Sequence, residues 1–427
     1  MPYTPPRSVR LREAHAHVFQ HGRSLGMIDA SSFEHAGVLL EAFSERSRAV
    51  RESGQGAVVL GDKARPEGWK PDARGRAWPS LSDFDRATVG TLAACWCFDY
   101  HQIFANSAAL ARAGIGPDTP DPEGGRIERD ADGRPTGVLL ERAALQLWHA
   151  LPEPSEDERE PLLRAACADL EHEHGFAEVH DLKAPPWLGE ALARLDANGE
   201  LGGVYHLWAL LPDLELLHAS REAWAGEHVR LAGGKIFVDG TLNSRTAWML
   251  EPYADGPEAH PSGMAMMRPA EVEEAVGRCD ALGLPLAAHA IGDAAVRAVL
   301  DAIERVRPRT PGFRIEHAEL IDPADVARFA QLGVTASVQP CHLLPDMEAL
   351  RRGVPDRLHR VLPIRELLDS GAKVVFGSDT PIVRPNPGDS IRAAVERRRE
   401  GMGEAEAIGL EQAISEEEAW TCFAAEG

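Results

Sequence analysis

The sequence of 427 residues lacks the features that place a chain in a membrane or outside the cell. No window of about 18 or more apolar residues occurs, so we expect no transmembrane helix. The first residues contain no apolar core of signal-peptide length. The six cysteines are scattered, and the C-x-C spacing of Cys95 and Cys97 fits neither a zinc ribbon nor a thioredoxin motif. We therefore expect reduced thiols in a cytoplasmic protein.

Positive charge is also scarce in this chain. It has 45 lysines and arginines against 67 acidic residues, which gives a formal net charge of −22. That balance argues against nucleic acid and against an anionic membrane surface as partners. With 44% apolar and 26% charged residues the composition is that of a soluble globular protein. A small-molecule substrate is the expected partner, and a homodimer stays open as the assembly.

The sequence does contain a regular alternation of β-type and helical segments. The β-type runs are residues 9–15, 176–181, 202–210, 229–240, 285–292, 313–320, 334–340 and 373–380. From the second run onward, helical segments rich in Ala, Glu and Arg separate most of them. Strands alternating with helices predict a parallel sheet. Eight such units predict an α/β fold, a TIM-type (β/α)8 barrel.

A large insertion is expected after the first strand, because residues 16–175 are far too many for one connection. We expect residues 1–20 to hold the first strand, 21–165 to form an insertion subdomain, and 166–427 to complete the barrel. The Gly-, Pro- and Asp-rich segment 114–137 predicts turns and a hairpin within that insertion.

Polar residues stand at or near the ends of these otherwise apolar strands. They are His15 and His17 on the first strand, Lys235 on the fourth, His289 on the fifth, His317 on the sixth and Asp379 on the eighth. Barrel enzymes carry function at the C-terminal ends of their strands, so these groups should converge at one mouth. Residues i and i+2 of a strand share a face, which lets both histidines of the H-x-H motif bind one ion. Imidazole and carboxylate suit Zn²⁺ or a similar divalent ion.

Each of these residues also has an ordinary structural explanation when taken alone. Asp379 could begin a turn, and Lys235 could extend along the surface. Their joint occurrence at one end of the barrel is what indicates a metal site. A second H-x-H pair, His172 and His174, follows a helical pattern in which i and i+2 do not face each other. We expect that pair only to end a helix before Gly175.

An ordered set of motifs supports the same conclusion. They are "EAHAH" (13–17), "CFDYHQIFANSAAL" (97–110), "TPDPEGGRIERDADGRPTGVLLERA" (119–143), "GGKIFVDGTLNSRTA" (233–247), "HAIGD" (289–293), "RIEHAEL" (314–320), "SVQPCHL" (337–343) and "FGSDTP" (376–381). Together they resemble the amidohydrolase superfamily, in particular the N-substituted formamide deformylase-like branch called amidohydrolase family 3. The resemblance extends over most of the chain, from about residue 9 to residue 422.

The resemblance implies a role for each polar residue. His15 and His17 would bind the more buried metal, Lys235 carboxylated by CO₂ would bridge two metals, His289 and His317 would bind the second, and Asp379 would contact metal and handle protons. A lysine ammonium would repel a cation, whereas a carbamate is an anionic bidentate ligand. The site is expected to hold one or two divalent ions, Zn²⁺ above all.

The predicted function is metal-dependent hydrolysis of a C–N bond, in an amide or N-substituted formamide, through water activated by the metal. Asp379 would take the proton and return it to the leaving amine. His101, Arg245, Gln339 and His342 are candidates to hold the substrate, or else ordinary polar loop residues. Ester or lactone hydrolysis, isomerisation or decarboxylation on the same barrel, and a catalytically inactive metal- or ligand-binding barrel, remain the alternatives.

Two departures from the family pattern stand out. Glu13 occupies a position where Asp is usual, with Arg12 beside it, which bears on the support of the first ligands. Other members carry a small β-sandwich built from segments before and after the barrel. Few residues precede the first strand here, and the chain ends at "EEEAWTCFAAEG". We expect that sandwich to be largely absent from this chain.

Overall fold

The computed structural model describes residues 3, 5–6, 9–53, 58–71, 75, 77–98, 100, 102–122 and 124–425. Its strands are β1 (Leu11–Ala16), β2 (Ile28–Asp29), β3 (Val58–Ala64), β4 (Leu92–Cys97), β5 (Gln102–Ala105), β6 (Gly125–Arg129), β7 (Pro135–Glu141), β8 (Phe176–Ala184), β9 (Val204–Leu210), β10 (Val229–Phe237), β11 (Leu286–Ala290), β12 (Arg314–His317), β13 (Thr335–Val338) and β14 (Val374–Phe376). Its α-helices are α1 (Val18–Leu25), α2 (Ala36–Ser53), α3 (Leu81–Ala87), α4 (Ser107–Arg112), α5 (Arg142–Ala150), α6 (Glu156–Ala168), α7 (Leu188–Ala197), α8 (Leu214–Ser220), α9 (Pro269–Ala281), α10 (Asp293–Val306), α11 (Pro323–Leu332), α12 (Leu343–Gly353), α13 (Ile364–Asp369), α14 (Pro387–Glu396) and α15 (Glu416–Cys422).

An eight-stranded parallel sheet forms the centre of one unit, which comprises the chain up to His21 and from Glu160 onward. The strand order is β1-β8-β9-β10-β11-β12-β13-β14. A parallel bridge between Ala16 and Thr380 joins the last strand's extension to the first. The sheet is therefore a nearly closed barrel, which confirms the prediction of a TIM-type (β/α)8 fold with a large insertion after its first strand.

Five of the barrel strands, β1 and β11 to β14, are buried over their whole length because helices cover their outer face. All five residues of β11 and all four of β13 are buried, as expected for parallel strands. The helices begin and end at local signals. The Asp322 side chain accepts a hydrogen bond from the Ala324 amide at the start of α11, and Gly333 ends that helix with a φ of 67°.

The second unit, Gly22–Arg159, has its own six-stranded sheet in the order β2-β3-β4-β5-β7-β6. The turn-rich segment predicted to contain a hairpin does so, because β6 and β7 pair antiparallel. Buried side chains pack on this sheet in two clusters, one with Phe43 and Phe84 and the other with Leu139 and Leu147. The insertion thus has an apolar core of its own.

Two further sequence expectations concern cysteines and membrane spans. All six cysteines lie in the described part of the chain, where they are buried and none is joined in a disulfide. Among the described residues, no helix combines the length and the apolar character that crossing a bilayer requires.

Candidate metal centre

The H-x-H motif reaches the barrel interior because β1 is irregular. Its pairing with β8 shifts register between Glu13 and Ala16. Arg12 lines a cavity at the N-terminal end of the barrel, and strict alternation would turn His15, three residues later, towards the opposite face. Such an irregularity re-aims the side chains that follow it. The motif's histidines therefore lie at the C-terminal end of the barrel interior.

Glu13 joins the first strand to the segment after the last. Its Oε1 accepts hydrogen bonds from the amides of His15 at 3.0 Å and Ser378 at 2.8 Å. The side chain is fully buried, and this burial raises the pKa of its carboxyl to about 7. The residue that departs from the family pattern thus fixes the backbone of the first ligand strand against the loop that carries Asp379.

His317 and Asp379 enter the site through left-handed backbone conformations. Arg314 and Glu316 on β12 already face the interior, where they contact Ala14 and His15. Alternation would turn His317 away from that interior. A φ of 71° at His317 redirects it, and Asp379 has a φ of 60°. Non-glycine residues rarely adopt this conformation, and it concentrates at functional sites.

These features bring five of the predicted ligands together, and we call them the C-terminal cluster: His15, His17, His289, His317 and Asp379. Nε2 of His17 lies 3.0 Å, and Nε2 of His15 3.4 Å, from Oδ1 of Asp379. The His317 ring centroid lies 4.8 Å from that of His15 and 4.5 Å from that of His289. Ligand atoms of His15, His17 and Asp379 lie within 4.8 Å of one another.

The hydrogen-bond partners of two histidines show which ring nitrogen is available. Nδ1 of His15 lies 2.7 Å from Glu316, whose carboxylate only accepts, so Nδ1 carries the proton and Nε2 keeps its lone pair. Nε2 of His289 donates to the Gly240 carbonyl at 3.1 Å, which leaves Nδ1 as the lone pair. Burial lowers the pKa of His15 to about 4 and of His289 to about 3. Both rings are therefore neutral, the form that binds a metal.

Lys235 is buried beside this cluster. Its Nζ has no hydrogen-bond partner within the described chain, and burial lowers its pKa to about 8. Its charge lowers the pKa of both His15 and His289. Nδ1 of His317 is a second buried polar atom without a partner among the described residues. Orphaned buried atoms among neutral imidazoles and a carboxylate are what a site built for a divalent cation presents, so the residues fit one.

Two of the four predicted substrate-binding residues adjoin the cluster. The amide nitrogen of Gln339 lies 3.5 Å from Nδ1 of His15, and its buried Oε1 has no partner in the described residues. Nε2 of His342 lies 3.2 Å from the Ser378 carbonyl, and its ring centroid is 6.0 Å from that of His317.

The other two substrate-binding candidates are not brought to the cluster. Nε and Nη2 of Arg245 bind the Asp255 carboxylate at 2.6 and 2.7 Å, and Nη1 donates to the Leu242 carbonyl at 2.6 Å. All three guanidinium nitrogens are thus engaged in holding a loop. A substrate-binding role for Arg245 remains a prediction that these contacts disfavour. His101 lies outside the described residues.

Two carboxylates beside the cluster, Glu316 and Asp239, were given no role in the sequence analysis. Glu316 fixes His15 as described above. Asp239 accepts hydrogen bonds from the amides of Trp248, Ile291 and Gly292 at 2.9 to 3.0 Å, which ties the end of β10 to the loop after β11. Its Oδ1 lies 3.7 Å from Nε2 of His289. The available signal was a charged residue inside or directly after a strand that is buried on both faces.

Sequence similarity to known proteins extends over most of the chain. The Amidohydrolase family matches residues 11–425. Protein LONG AFTER FAR-RED 3 of Arabidopsis thaliana is 32% identical over 410 residues, which cover 91% of this chain and 68% of that protein. N-substituted formamide deformylase of Arthrobacter pascens is 33% identical over 315 residues, which cover 70% of this chain and 57% of that protein.

A solved structure is similar over almost the whole chain. The uncharacterized metal-dependent hydrolase from Pyrococcus furiosus superposes with a TM-score of 0.77 at 26% identity, over 97% of this chain and 80% of that one. The family match spans the barrel, the insertion and every residue of the C-terminal cluster. The chain therefore belongs to the amidohydrolase family.

Proposed function

We propose that this protein is a metal-dependent hydrolase that cleaves a carbon–nitrogen bond, in an amide or an N-substituted formamide, of a small molecule. The observation that carries the proposal is the C-terminal cluster itself. Imidazoles surround one carboxylate, and the outer nitrogens of His15 and His289 are already fixed by acceptors. The deformylase from Arthrobacter pascens, 33% identical, supports this class of bond.

We assign the five residues of the C-terminal cluster as ligands of one or two divalent cations, with Zn²⁺ as the expected ion. A cation held there supplies Lewis-acid polarisation of a carbonyl group and activation of water at neutral pH. Glu316 keeps the His15 ring in one tautomer and orientation, which is the role that outer carboxylates have for metal-binding histidines. The Gly240 carbonyl does the same for His289.

Lys235 is proposed to act as a carbamate. As an ammonium group it would be an unpaired buried charge beside a cation, which is an unfavourable arrangement. When its neutral amine adds to CO₂, a new N–C bond forms, one proton is released, and the side chain becomes an anion with two oxygen ligands. This reaction would turn the orphaned nitrogen into part of the ligand set.

Asp379 is the proposed proton carrier. Although burial raises the pKa of its carboxyl, the surrounding histidines, with the hydrogen bond from His17, lower it by more, so that it lies well below its ordinary value. The group is therefore an ionised acceptor that can take a proton from the attacking water and pass it to the leaving nitrogen. Gln339 and His342, at the same end of the barrel, are the candidates to orient the substrate.

The test is a panel of amides, N-substituted formamides and esters, given to protein purified with zinc and bicarbonate. The proposal expects amine release that is lost in Asp379→Asn while zinc is largely retained. Acid release from esters alone would redirect the function to an esterase or lactonase. If no substrate turns over although zinc is bound, the inactive metal-binding barrel becomes the better description.

A further inference from the structure

A cavity opens at the end of the barrel opposite to the C-terminal cluster. It has a volume of about 640 Å³ and is lined by residues at or next to the N-terminal ends of all eight barrel strands. Its basic side chains are Arg10, Arg12, Arg230, Arg314 and Lys373, and its carboxylates are Glu178 and Glu227. We call it the basic cavity, because its wall carries more cations than anions in a chain whose formal net charge is −22.

Three side chains in the basic cavity could at first be taken for a metal site. Ligand atoms of Glu178, His180 and His206 lie within 4.8 Å of one another. However, Nδ1 of His180 lies 3.1 Å from Nε1 of Trp208 and 3.2 Å from Nη1 of Arg314, and both of these groups only donate. Nδ1 must therefore be the acceptor on the His180 ring.

The proton of the His180 ring then lies on Nε2, which donates to Glu178 at 2.8 Å. A metal at Nε2 would have to displace that proton while Nδ1 also lacks one, and the ring would become an imidazolate. Metal-binding histidines instead donate from their second nitrogen to an acceptor. The protonation pattern of His180 thus excludes it as an ordinary cation ligand.

The charges around His206 point to an anion. Its ring stacks on that of His180, with centroids 4.5 Å apart. Burial is the main cause of the lowered pKa of His206; the Glu178 carboxylate raises this pKa, whereas the guanidiniums of Arg230, Arg12 and Arg314 each lower it. Three arginines therefore act on one point of the cavity against a single carboxylate.

Two of the arginines have partners inside the barrel and two do not. Nε of Arg12 lies 2.9 Å from Glu178, and Arg314 contacts Glu316. The exposed Arg10 and Arg230 line the same cavity, and within the described chain neither side chain has a hydrogen bond or an ion pair. Their guanidiniums are the groups that a ligand from solution can reach.

We propose that the basic cavity binds a phosphate group, either as inorganic phosphate or on a small organic molecule, with Arg10 and Arg230 as its contacts. The planar fork of a guanidinium matches the oxygens of a phosphate, and a concave wall with an excess of one charge sign concentrates the opposite ion. The volume of about 640 Å³ leaves room for a group attached to the phosphate. The proposal does not depend on the proposed hydrolase function, because the site lies at the other end of the barrel.

The test is calorimetric titration of the full chain with inorganic phosphate and with glucose 6-phosphate, at constant ionic strength set by chloride. We expect one saturable site whose Kd weakens at least about tenfold in Arg10→Gln/Arg230→Gln, since each change removes charge-assisted hydrogen bonds. Both side chains are exposed, so folding should be retained; Arg230→Gln alone is the second variant if it is not. Tighter binding of glucose 6-phosphate would identify an organic phosphate as the ligand.

Two controls decide where the phosphate binds. Arg126→Gln removes the same charge from an exposed arginine on β6 and should leave the Kd unchanged. His289→Ala alters the C-terminal cluster and should also leave it unchanged. Absence of saturable binding, an unchanged Kd in the double variant, or a loss of binding in His289→Ala instead would each overturn the proposal.

Discussion

Each end of the barrel gathers two imidazoles and a carboxylate whose ligand atoms lie within 4.8 Å of one another: His15, His17 and Asp379 at the C-terminal end, and Glu178, His180 and His206 at the N-terminal end. The ligand groups are of the same chemical kinds, but the outer contacts differ. Nδ1 of His15 faces a carboxylate, whereas Nδ1 of His180 faces an indole and a guanidinium. The hydrogen-bond partner of Nδ1, more than the imidazole itself, therefore decides which end of the barrel suits a cation.

One arginine side chain influences the hydrogen bonding of the histidines at both ends of the barrel. Arg314 reaches His180 with Nη1 and Glu316 with its other nitrogens, and Glu316 in turn contacts His15. The arginine thus supplies a donor to the N-terminal end and fixes an acceptor for the C-terminal end. A charged pair replaces the apolar side chains that usually fill this layer of a barrel.

The largest difference in zinc content and activity should come from removing histidines at the C-terminal end of the barrel rather than at the N-terminal end. His15→Ala/His17→Ala should lose its zinc and more than about a hundredfold in activity, beyond what the loss of an outer partner costs. His206→Ala is the corresponding change at the N-terminal end, and this variant should keep both its zinc and its activity. Elemental analysis and amine release measure the two properties. Loss of zinc in His206→Ala, with zinc retained in His15→Ala/His17→Ala, would reverse the comparison.

Asp379→Asn separates proton transfer from metal binding within the C-terminal cluster. An amide cannot take the proton of the attacking water, so turnover should fall by about 10² to 10⁴-fold. Zinc content should stay near that of the wild type, because most ligands remain. Glu227→Gln, an exposed carboxylate of the basic cavity, serves as the control with unchanged turnover. Full activity in Asp379→Asn would remove this residue from the reaction.

Glu316→Gln tests the outer contact directly. It replaces a pure acceptor behind His15 with an amide, and zinc affinity should weaken by about 10- to 100-fold. Competition with a chelator of known affinity measures the change. Arg126→Gln should leave the affinity as it is. An unchanged zinc affinity in Glu316→Gln would show that the hydrogen-bond partner of Nδ1 does not decide whether a histidine binds the metal.

The smallest effect is a pH dependence of stability at the N-terminal end. Although burial raises the pKa of Glu178, His180 and Arg12 lower it by more, from 4.5 to about 2. A carboxyl with a lowered folded pKa stabilises the protein above its unfolded pKa, and that stabilisation is lost as pH falls towards about 2. The loss of unfolding free energy in Glu178→Gln, measured with urea, should therefore shrink on acidification below pH 4.5. A pH-independent loss would contradict this.

The barrel could be predicted because its signals are local. Each strand is a short apolar run followed by a helical pattern, and the order of such units fixes a parallel topology. The convergence of the polar side chains could be predicted as well, since C-terminal strand ends meet at one mouth. From β10 onward, the predicted segments exceed the strands mainly at their C-terminal ends: residues 313–320 were expected to be extended, whereas β12 is Arg314–His317. The difference is the turn that carries His317 into the site.

The features of the site that could not be predicted depend on backbone conformation and on contacts between residues far apart in the sequence. The register shift in β1 and the left-handed conformation at His317 leave no simple trace in composition. The contact between Glu316 and His15 joins residues 301 positions apart, so no local pattern predicts it. A substrate contact by Arg245 remains a prediction, and the pairing of its guanidinium with Asp255 was also not foreseeable from local sequence.

The most direct test is a crystal structure of zinc-loaded protein with anomalous scattering recorded at the zinc edge. The account predicts one or two peaks within about 2.0 to 2.2 Å of ligand atoms of the C-terminal cluster, and none among Glu178, His180 and His206. A peak at the N-terminal group, or no peak at His15 and His17 in protein that binds zinc in solution, would contradict it.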